Sequence, residues 1–242
     1  PGAAAMHTAP KSYAGRANAL SPPAPPAALP AARRLAEAVR AKTDRLDILI
    51  NNAGIGTAGA KRQLSADGFE LRFAVNYLAG FLLTSELLPL LKASSPARII
   101  NVASAGQQAI DFGDVMLTRS YDGVRAYCQS KLAQILFTID LAGELKGSGV
   151  TVNALHPASY MNTTMVRQAG VTPWSSVETG ADAILNLATS PALEGRSGLY
   201  IDGQREARAD AQAYDAKARQ QLRTLSLDFV GQASPKSKEQ HS

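Results

Sequence analysis

The stretch LDILINNAG, from Leu46 to Gly54, decides the fold that this 242-residue sequence predicts. Its first six residues form a short, nearly continuous apolar run, which is typical of a strand buried on both faces of a parallel sheet. Two asparagines and a glycine follow at once, and such residues favour a turn. The stretch therefore predicts a strand at 46–51 that ends in a polar loop.

The rest of the chain repeats this pattern of short apolar strands and long helical stretches. Further strands are predicted at 98–104, 151–156 and 198–202. Helices are predicted between them, at about 30–43, 66–93, 123–146, from a capping box at Ser175 and Glu178 to about 189, and at about 208–225. This alternation indicates an α/β fold with three layers, in which helices cover both faces of a parallel sheet.

Length and composition indicate a single globular domain at 30–230. Hydrophobic residues make up 45% of the chain and charged residues 19%. Residues 1–29 are expected to form an irregular arm rich in alanine and proline, because seven of the thirteen prolines lie within residues 1–30. Residues 231–242 are expected to form a polar tail.

Several classes of partner and site are not expected from this composition. The net charge of +5 is spread along the chain and forms no basic stripe, so no nucleic-acid partner is expected. We expect no membrane span either, because the longest apolar run, at 81–91, is interrupted by polar residues and a proline. The single cysteine, Cys128, excludes an internal disulfide and fits a cytoplasmic location. No metal site is expected.

Polar motifs follow three of the predicted strands. They are Asn51-Asn52-Ala53-Gly54 (51–54), Ser104-Ala105-Gly106 (104–106) and His156-Pro157 (156–157). Because ligands of parallel α/β sheets bind beyond the carboxyl ends of the strands, these motifs predict one shared crevice.

Tyr127 and Lys131 stand four residues apart on a predicted helix, so their side chains share one face. A free phenol titrates near pH 10. A neighbouring cation stabilises the phenolate, so we expect Lys131 to lower the pKa of Tyr127. Cys128 would point about 100° away around the helix and is expected to be a buried structural thiol.

Taken in order, NNAG, Asn76 in the long helix, Ser104 and the Tyr127-x-x-x-Lys131 motif resemble the short-chain dehydrogenase/reductase family. The segment 126–157 is most similar to the retinol-dehydrogenase-like branch, as are the 22 residues that separate Ser104 from Tyr127. The resemblance covers about residues 33–230. It implies a Rossmann-like, doubly wound sheet and an NAD(P)-dependent oxidoreductase that interconverts an alcohol and a carbonyl.

The family resemblance also implies a role for each catalytic residue. Tyr127 would be the general acid and base, and Ser104 would hold the substrate carbonyl. Lys131 would lower the phenol's pKa and bind the nicotinamide ribose, and Asn76 would hold a water that links Lys131 to solvent. Taken alone, Asn76 could instead be a satisfied buried amide, and Ser104 a strand-end hydroxyl.

The implied cofactor is NADP or NAD, with a slight preference for NADP. The residues implied to contact it are Asn52, Ala53 and Gly54 on the adenosine side, Pro157 and Thr163 at the nicotinamide amide, and Tyr127 and Lys131. Asn51 could have a purely structural role in the turn. His156 is expected to be a strand-end residue rather than a catalyst.

Two loops that would flank the substrate carry apolar side chains: Phe112, Met116, Tyr160, Met161 and Trp174. They predict a fairly apolar pocket, although half of them could be ordinary core residues. A homodimer through the helices at 66–93 and 123–146 is implied by the resemblance alone.

The sequence departs from the family at its N-terminal end. The family's glycine-rich phosphate-binding turn has no counterpart, because the glycines before Gly54 are Gly2 and Gly15. We therefore expect a sheet that is incomplete at its N-terminal half. One hypothesis is an oxidoreductase gene truncated or frame-shifted at its 5′ end. The alternative is a catalytically inactive binding module whose exposed strand 46–51 pairs with another chain. A smaller departure is Ala158, where the family commonly has glycine.

Overall fold

The computed structural model describes residues 29–57 and 61–232. Nearly all of the predicted arm at 1–29 and most of the tail at 231–242 lie outside the described residues. Leu29 already belongs to the first helix, and residues 231 and 232 belong to the last one.

In this described part of the chain the sheet has five strands, and their spatial order is their order along the chain. They are β1 (Ile48–Asn51), β2 (Ala97–Val102), β3 (Val150–His156), β4 (Tyr200–Asp202) and β5 (Arg205–Ala207). The first four run parallel, as predicted, and β5 pairs antiparallel with β4. The three-residue β5 was not predicted, because its sequence REA has no apolar pattern.

Seven α-helices connect and cover the described strands. They are α1 (Leu29–Lys42), α2 (Leu71–Phe73), α3 (Ala79–Ala93), α4 (Gly123–Glu144), α5 (Thr164–Gln168), α6 (Val177–Thr189) and α7 (Ala216–Gln232). A π-helical segment, Ala74–Leu78, joins α2 to α3, so the single helix predicted at 66–93 starts later and changes its winding. The helix predicted at 208–225 is a 3₁₀ turn, Ala211–Tyr214, followed by α7.

The predicted capping box before α6 is shifted by one residue. Ser176, not Ser175, is the N-cap, and its hydroxyl accepts a hydrogen bond from the Thr179 amide. The Ser175 hydroxyl donates instead to the carbonyl of Ser159. Two adjacent serines offer the same capping chemistry, so the position of the cap depends on which hydroxyl the tertiary fold uses elsewhere.

Alternating residues of the buried strands contribute side chains to two apolar clusters on opposite faces of the sheet. On β2, Ile99 packs into the larger cluster with α1, α3, α4 and α7, whereas Ile100 and Val102 pack into the smaller one with α6. The predicted three-layer, Rossmann-like arrangement is thus confirmed. Within the described residues, β1 pairs with β2 alone and Ile50 is 41% exposed, which agrees with the predicted incompleteness of the sheet.

Among the described residues, one helical stretch, Leu71–Ala93, is long and apolar enough by length and composition to cross a membrane. Its most apolar window is 61% buried inside the fold, and Phe73, Leu78 and Leu91 belong to the larger core cluster. Buried core helices of globular proteins can be as long and as apolar as membrane helices. The predicted absence of a membrane span stays a prediction.

Candidate active site

The carboxyl ends of β1, β2 and β3 open onto one cleft of about 2430 Å³. Its walls include every predicted site residue, namely Asn52, Ala53, Gly54, Asn76, Ser104, Tyr127, Lys131, Pro157 and Thr163. The cleft exceeds the roughly 300–1,000 Å³ of a typical ligand pocket. It does so because it continues along β1, past Ile48 and Ile50.

Ser104 and Tyr127 meet across the cleft wall. Asp122 caps the start of α4 by accepting from the Arg125 amide at 2.7 Å, which places Tyr127 in the second turn of the helix. The Ser104 hydroxyl hydrogen-bonds the phenol and also accepts from the Gly106 amide at 3.0 Å. Ser104 therefore reaches the phenol from a loop that its own hydroxyl helps to fold.

The phenol and the ammonium do not interact as the sequence predicted. Burial raises the pKa of Tyr127, and the Ser104 hydrogen bond opposes this only in part. The Lys131 nitrogen lies 5.9 Å from the centre of the Tyr127 ring. It donates instead to the Val102 carbonyl at 2.9 Å and to Oε1 of Gln134 at 3.0 Å. The predicted lowering of the phenol's pKa is thus wrong for this arrangement, because desolvation outweighs a cation that points elsewhere.

Lys131 is itself almost fully buried, with 4% of its surface exposed. Burial lowers the pKa of its ammonium from 10.5 to about 8. An amine with this pKa is close to its titration point at neutral to mildly alkaline pH, which is a property of groups that handle protons.

Asn76 fastens the loop after β1 to helix α4. Its Oδ1 accepts from the Ile55 amide at 2.8 Å, and its Nδ2 donates to the Ile55 carbonyl at 3.1 Å and to the Ser130 hydroxyl at 2.9 Å. Asn76 is thus a satisfied buried amide, and its predicted role in holding a water stays a prediction. It lies in the π-helical segment, and such insertions are frequent at functional sites.

Gly54 lets this loop approach the centre of the site. A Cβ at this position would lie 3.4 Å from Oδ1 of Asn76 and 3.5 Å from the Lys131 nitrogen. Gly54 is half-buried, whereas Asn52 and Ala53 are exposed along the cleft. A larger residue at position 54 would occupy the space between the loop and the ammonium.

A buried polar network that was not predicted runs from β1 to α4. Nδ2 of Asn51 donates to Oγ1 of Thr84 at 2.9 Å and to Oδ1 of Asn101 at 2.8 Å. Nδ2 of Asn101 donates to Oγ1 of Thr138 at 2.8 Å, and that hydroxyl donates to the Gln134 carbonyl at 2.8 Å. Asn51 thus has a structural role, but it links β1 to α3 and β2 instead of capping the turn, as considered from the sequence. The only signal in the sequence was the presence of these polar residues within apolar segments.

Where the sequence predicts the nicotinamide contact, Thr163 is the N-cap of α5, and its hydroxyl accepts from the Val166 amide at 3.4 Å. Thr163 and Pro157 both line the cleft. Met165 of α5 crosses to the loop after β1, where a Cβ on Gly56 would meet its Cγ at 2.5 Å. The two walls of the cleft therefore touch at Gly56 and Met165.

The predicted apolar pocket residues divide into two groups. Tyr160 and Met161 line the cleft, whereas Phe112 and Met116 pack against the larger core cluster. Trp174 is 73% exposed and meets the Tyr160 ring edge to face, with 4.9 Å between the ring centres. Two of the five thus make ordinary core contacts, fewer than the half that the sequence interpretation allowed.

Cys128 and His156 were expected to be structural residues, and both line the cleft. Cys128 is only half-buried, so the prediction of a buried thiol is wrong; burial still raises the pKa of this thiol. His156 ends β3, and its Nε2 lies 3.0 Å from the Ser159 hydroxyl. Burial lowers the pKa of this imidazole.

A buried charged cluster, which was also not predicted, supports the loop after β1 and the loop before α4. The Arg72 guanidinium lies 3.8 Å from Oε1 of Glu70, hydrogen-bonds the Tyr121 hydroxyl and donates from Nε to the Gly56 carbonyl at 2.8 Å. The Tyr121 hydroxyl donates to Glu70 at 3.1 Å. The cluster thereby ties the loop after β1 to the loop before α4.

Comparison with known proteins identifies the family. A family model described as short chain dehydrogenase matches residues 27–173, which is more than half of the chain. The chain belongs to the short-chain dehydrogenase family. Retinol dehydrogenase 13 of Mus musculus is 41% identical over 225 residues, which are 86% of this chain and 66% of that protein. The chain thus spans about two thirds of the length of this curated relative, and the predicted branch of the family is confirmed.

Solved structures share the fold. An uncharacterized protein from Mycobacterium paratuberculosis matches with a TM-score of 0.68 and 29% identity, over 85% of this chain and 73% of that one. The Pseudomonas aeruginosa RhlG/NADP active-site complex matches with a TM-score of 0.57 and 31% identity, over 73% of this chain and 72% of that one.

The residues of this short-chain dehydrogenase fit one end of a nicotinamide cofactor. The space beside Gly54, which a Cβ would fill, adjoins the Lys131 nitrogen, and Pro157 and Thr163 line the same cleft. Within residues 29–57 and 61–232, no glycine-rich turn opens a helix beside β1, so a pyrophosphate cradle is not part of the described site.

Proposed function

We propose that this chain is an NAD(P)-dependent oxidoreductase that interconverts an alcohol and a carbonyl compound, with NADP the slightly favoured cofactor. The observation that carries the proposal is the convergence of Ser104, Tyr127 and Lys131 on one wall of the cleft. Membership of the short-chain dehydrogenase family and the likeness to the Pseudomonas aeruginosa RhlG/NADP complex support it.

In the reduction direction, Tyr127 would give its phenolic proton to the substrate oxygen, and in oxidation it would take the alcohol proton. The bound nicotinamide would supply or accept the hydride. Ser104 would donate a hydrogen bond to the same oxygen and hold it beside the phenol. The Lys131 ammonium would favour the phenolate that forms when Tyr127 gives up its proton.

The substrate is proposed to be apolar. Tyr160, Met161 and Met165 line the same cleft as Tyr127, and burying their surface against a hydrocarbon would stabilise the complex. Because the curated relative is a retinol dehydrogenase, all-trans-retinal is a suitable first test substrate.

The test uses the purified 242-residue chain. NADPH and NADH are titrated by their fluorescence, and oxidation of the bound cofactor is then followed with retinal and with shorter aldehydes. We expect Tyr127→Phe to lower turnover by at least about 100-fold while cofactor binding is retained. The matched control is Tyr214→Phe, since Tyr214 lies outside the cleft and its hydroxyl only accepts from the Ala209 amide. Turnover that survives Tyr127→Phe would contradict the proposed role of the phenol.

A second candidate is a catalytically inactive binding module. Within the described residues, the outer edge of β1 has no neighbouring strand, and such edges can accept a partner's extended strand. The same titration separates the two candidates, because micromolar binding of either cofactor excludes the inactive module. A cytoplasmic location and a homodimer remain part of the proposal, and gel filtration with light scattering tests the dimer.

A further inference from the structure

The Lys131 ammonium has a side-chain partner that is not one of the predicted site residues. Nζ donates to Oε1 of Gln134 at 3.0 Å and to the Val102 carbonyl at 2.9 Å. Among the described residues, no carboxylate forms an ion pair with Lys131. Gln134 is therefore the side chain that most directly fixes the position of this charge.

The positions of these residues along α4 set Tyr127 and Gln134 on opposite sides of Lys131. Tyr127 lies one turn before Lys131 and Gln134 one turn after it, and residues at these spacings lie on the same helical face. The ammonium therefore has a neighbour on each side along the helix. It now lies at hydrogen-bonding distance from Gln134 and 5.9 Å from the centre of the phenol ring.

The helix turn that carries Gln134 is anchored in a buried network. Gln134 is 4% exposed, and its main-chain carbonyl accepts from the Thr138 hydroxyl at 2.8 Å. Thr138 in turn accepts from Asn101, which accepts from Asn51. The helix turn that carries Gln134 is thus tied to β2 and β1 by fully buried hydrogen bonds, and these restrict its movement.

We propose that Gln134 is a positioning residue for Lys131, whose amide oxygen draws the ammonium away from Tyr127 and stabilises its protonated form. The catalytic consequence rests on the function proposed above, whereas the effect on Lys131 does not. The other titratable groups around Lys131 are Tyr127 on the same helix and His156 at the end of β3, where the Lys131 charge disfavours protonation of the imidazole and helps to lower its pKa.

The sign of the effect follows from which protonation state Gln134 contacts. A hydrogen bond accepted from the ammonium favours the charged form, so its loss lowers the pKa of Lys131 below its present value of about 8. A carboxylate at position 134 keeps the acceptor and adds an opposite charge, so it raises this pKa.

The test follows the Lys131 titration directly by NMR of protein labelled with [ε-¹³C]lysine. The Lys131 signal is assigned by its disappearance in Lys131→Met. We expect Gln134→Met, which is similar in shape but accepts poorly, to lower the pKa by about one unit, and Gln134→Glu to raise it by about one unit or more. The matched control is Gln129→Leu on the same helix, since the Gln129 amide donates to Val115 and does not contact Lys131.

The outcomes distinguish this proposal from the proposed function. Shifts of opposite sign in the two variants support the positioning role, even if the chain shows no turnover. If the chain is active, the alkaline limb of its kcat profile should shift in the same directions. An unchanged Lys131 titration in folded Gln134→Met or Gln134→Glu would overturn the proposal, whether or not the chain turns over.

Discussion

Lys131 and Tyr127 are neighbours on one face of α4, yet the ammonium lies 5.9 Å from the centre of the phenol ring and donates to Val102 and Gln134. Burial raises the pKa of the phenol, and the Ser104 hydrogen bond opposes this only in part. The Tyr-x-x-x-Lys spacing thus brings the two groups close without pairing them. Lowering the pKa of Tyr127 would therefore require the Lys131 ammonium to move toward the phenol oxygen.

Stability should increase with pH between about 8 and 9.5 because of Lys131. Its folded pKa is about 8 and its ordinary value 10.5, so in this window the unfolded chain binds a proton that the native chain has released. Each unit of difference corresponds to about 1.4 kcal/mol, which gives a gain of about 2 kcal/mol. Urea unfolding at pH 7 and pH 9.5 measures it. Lys131→Met should lack this gain, and equal pH slopes for the two proteins would contradict the assignment.

Asn101 should be among the most costly polar residues to remove. Asn101→Ala leaves Asn51 and Thr138 with unpaired buried groups, so we expect a loss of about 2–3 kcal/mol in the free energy of unfolding. Urea unfolding measures the loss. The control is Asn186→Ala on α6, which is half-buried and should cost less than about 1 kcal/mol. Additive losses in Asn101→Ala combined with Thr138→Val would show that the network is not coupled.

The Arg72 cluster should matter for both stability and the loop after β1. Arg72→Met leaves the fully buried Glu70 without its cation, which costs about 3–5 kcal/mol for a buried pair. It also releases the Gly56 carbonyl, so cofactor affinity should fall. Chemical unfolding and NADPH titration measure the two effects. Arg196→Met, which breaks the exposed pair with Glu206, should cost under about 1 kcal/mol. Similar losses of unfolding free energy in the two variants would argue against a stabilising role for the Arg72 cluster.

The contact between Gly56 and Met165 should tune substrate binding more than stability. Gly56→Ala forces Met165 aside, and a flexible methionine can move at a cost of under about 1 kcal/mol. The displaced side chain alters the apolar wall, so KM for an apolar aldehyde should rise about threefold or more, and steady-state kinetics measure this.

Two further variants control the Gly56 experiment. Combining Gly56→Ala with Met165→Ala should remove the clash and give non-additive effects on KM. Gly143→Ala on α4 meets no atom within 4 Å, so it should leave KM unchanged. Additive effects of the Gly56 and Met165 substitutions would show that the two residues do not compete for the same space.

Local patterns predicted the elements whose signals are strong. The strands at β2 and β3 and the helix α4 lie within two residues of their predicted bounds, because long apolar runs and an Asp122 cap act locally. The π-helical segment and the three-residue β5 were not predicted, since each depends on partners distant in the chain. Ser176 replaced Ser175 as a cap because Ser159 engages the latter.

By itself, the sequence determined which chemical groups meet at the strand ends. Parallel topology brings the residues that follow β1, β2 and β3 to one edge, so Gly54, Ser104 and Pro157 share a cleft wherever the fold forms. Only the tertiary structure decided how those groups are paired and how strongly they are desolvated. Gln134 rather than Tyr127 holds Lys131, and burial rather than the cation sets the phenol's pKa. Hydrogen-bond direction and desolvation depend on atoms from several elements at once, and a spacing along one helix does not contain them.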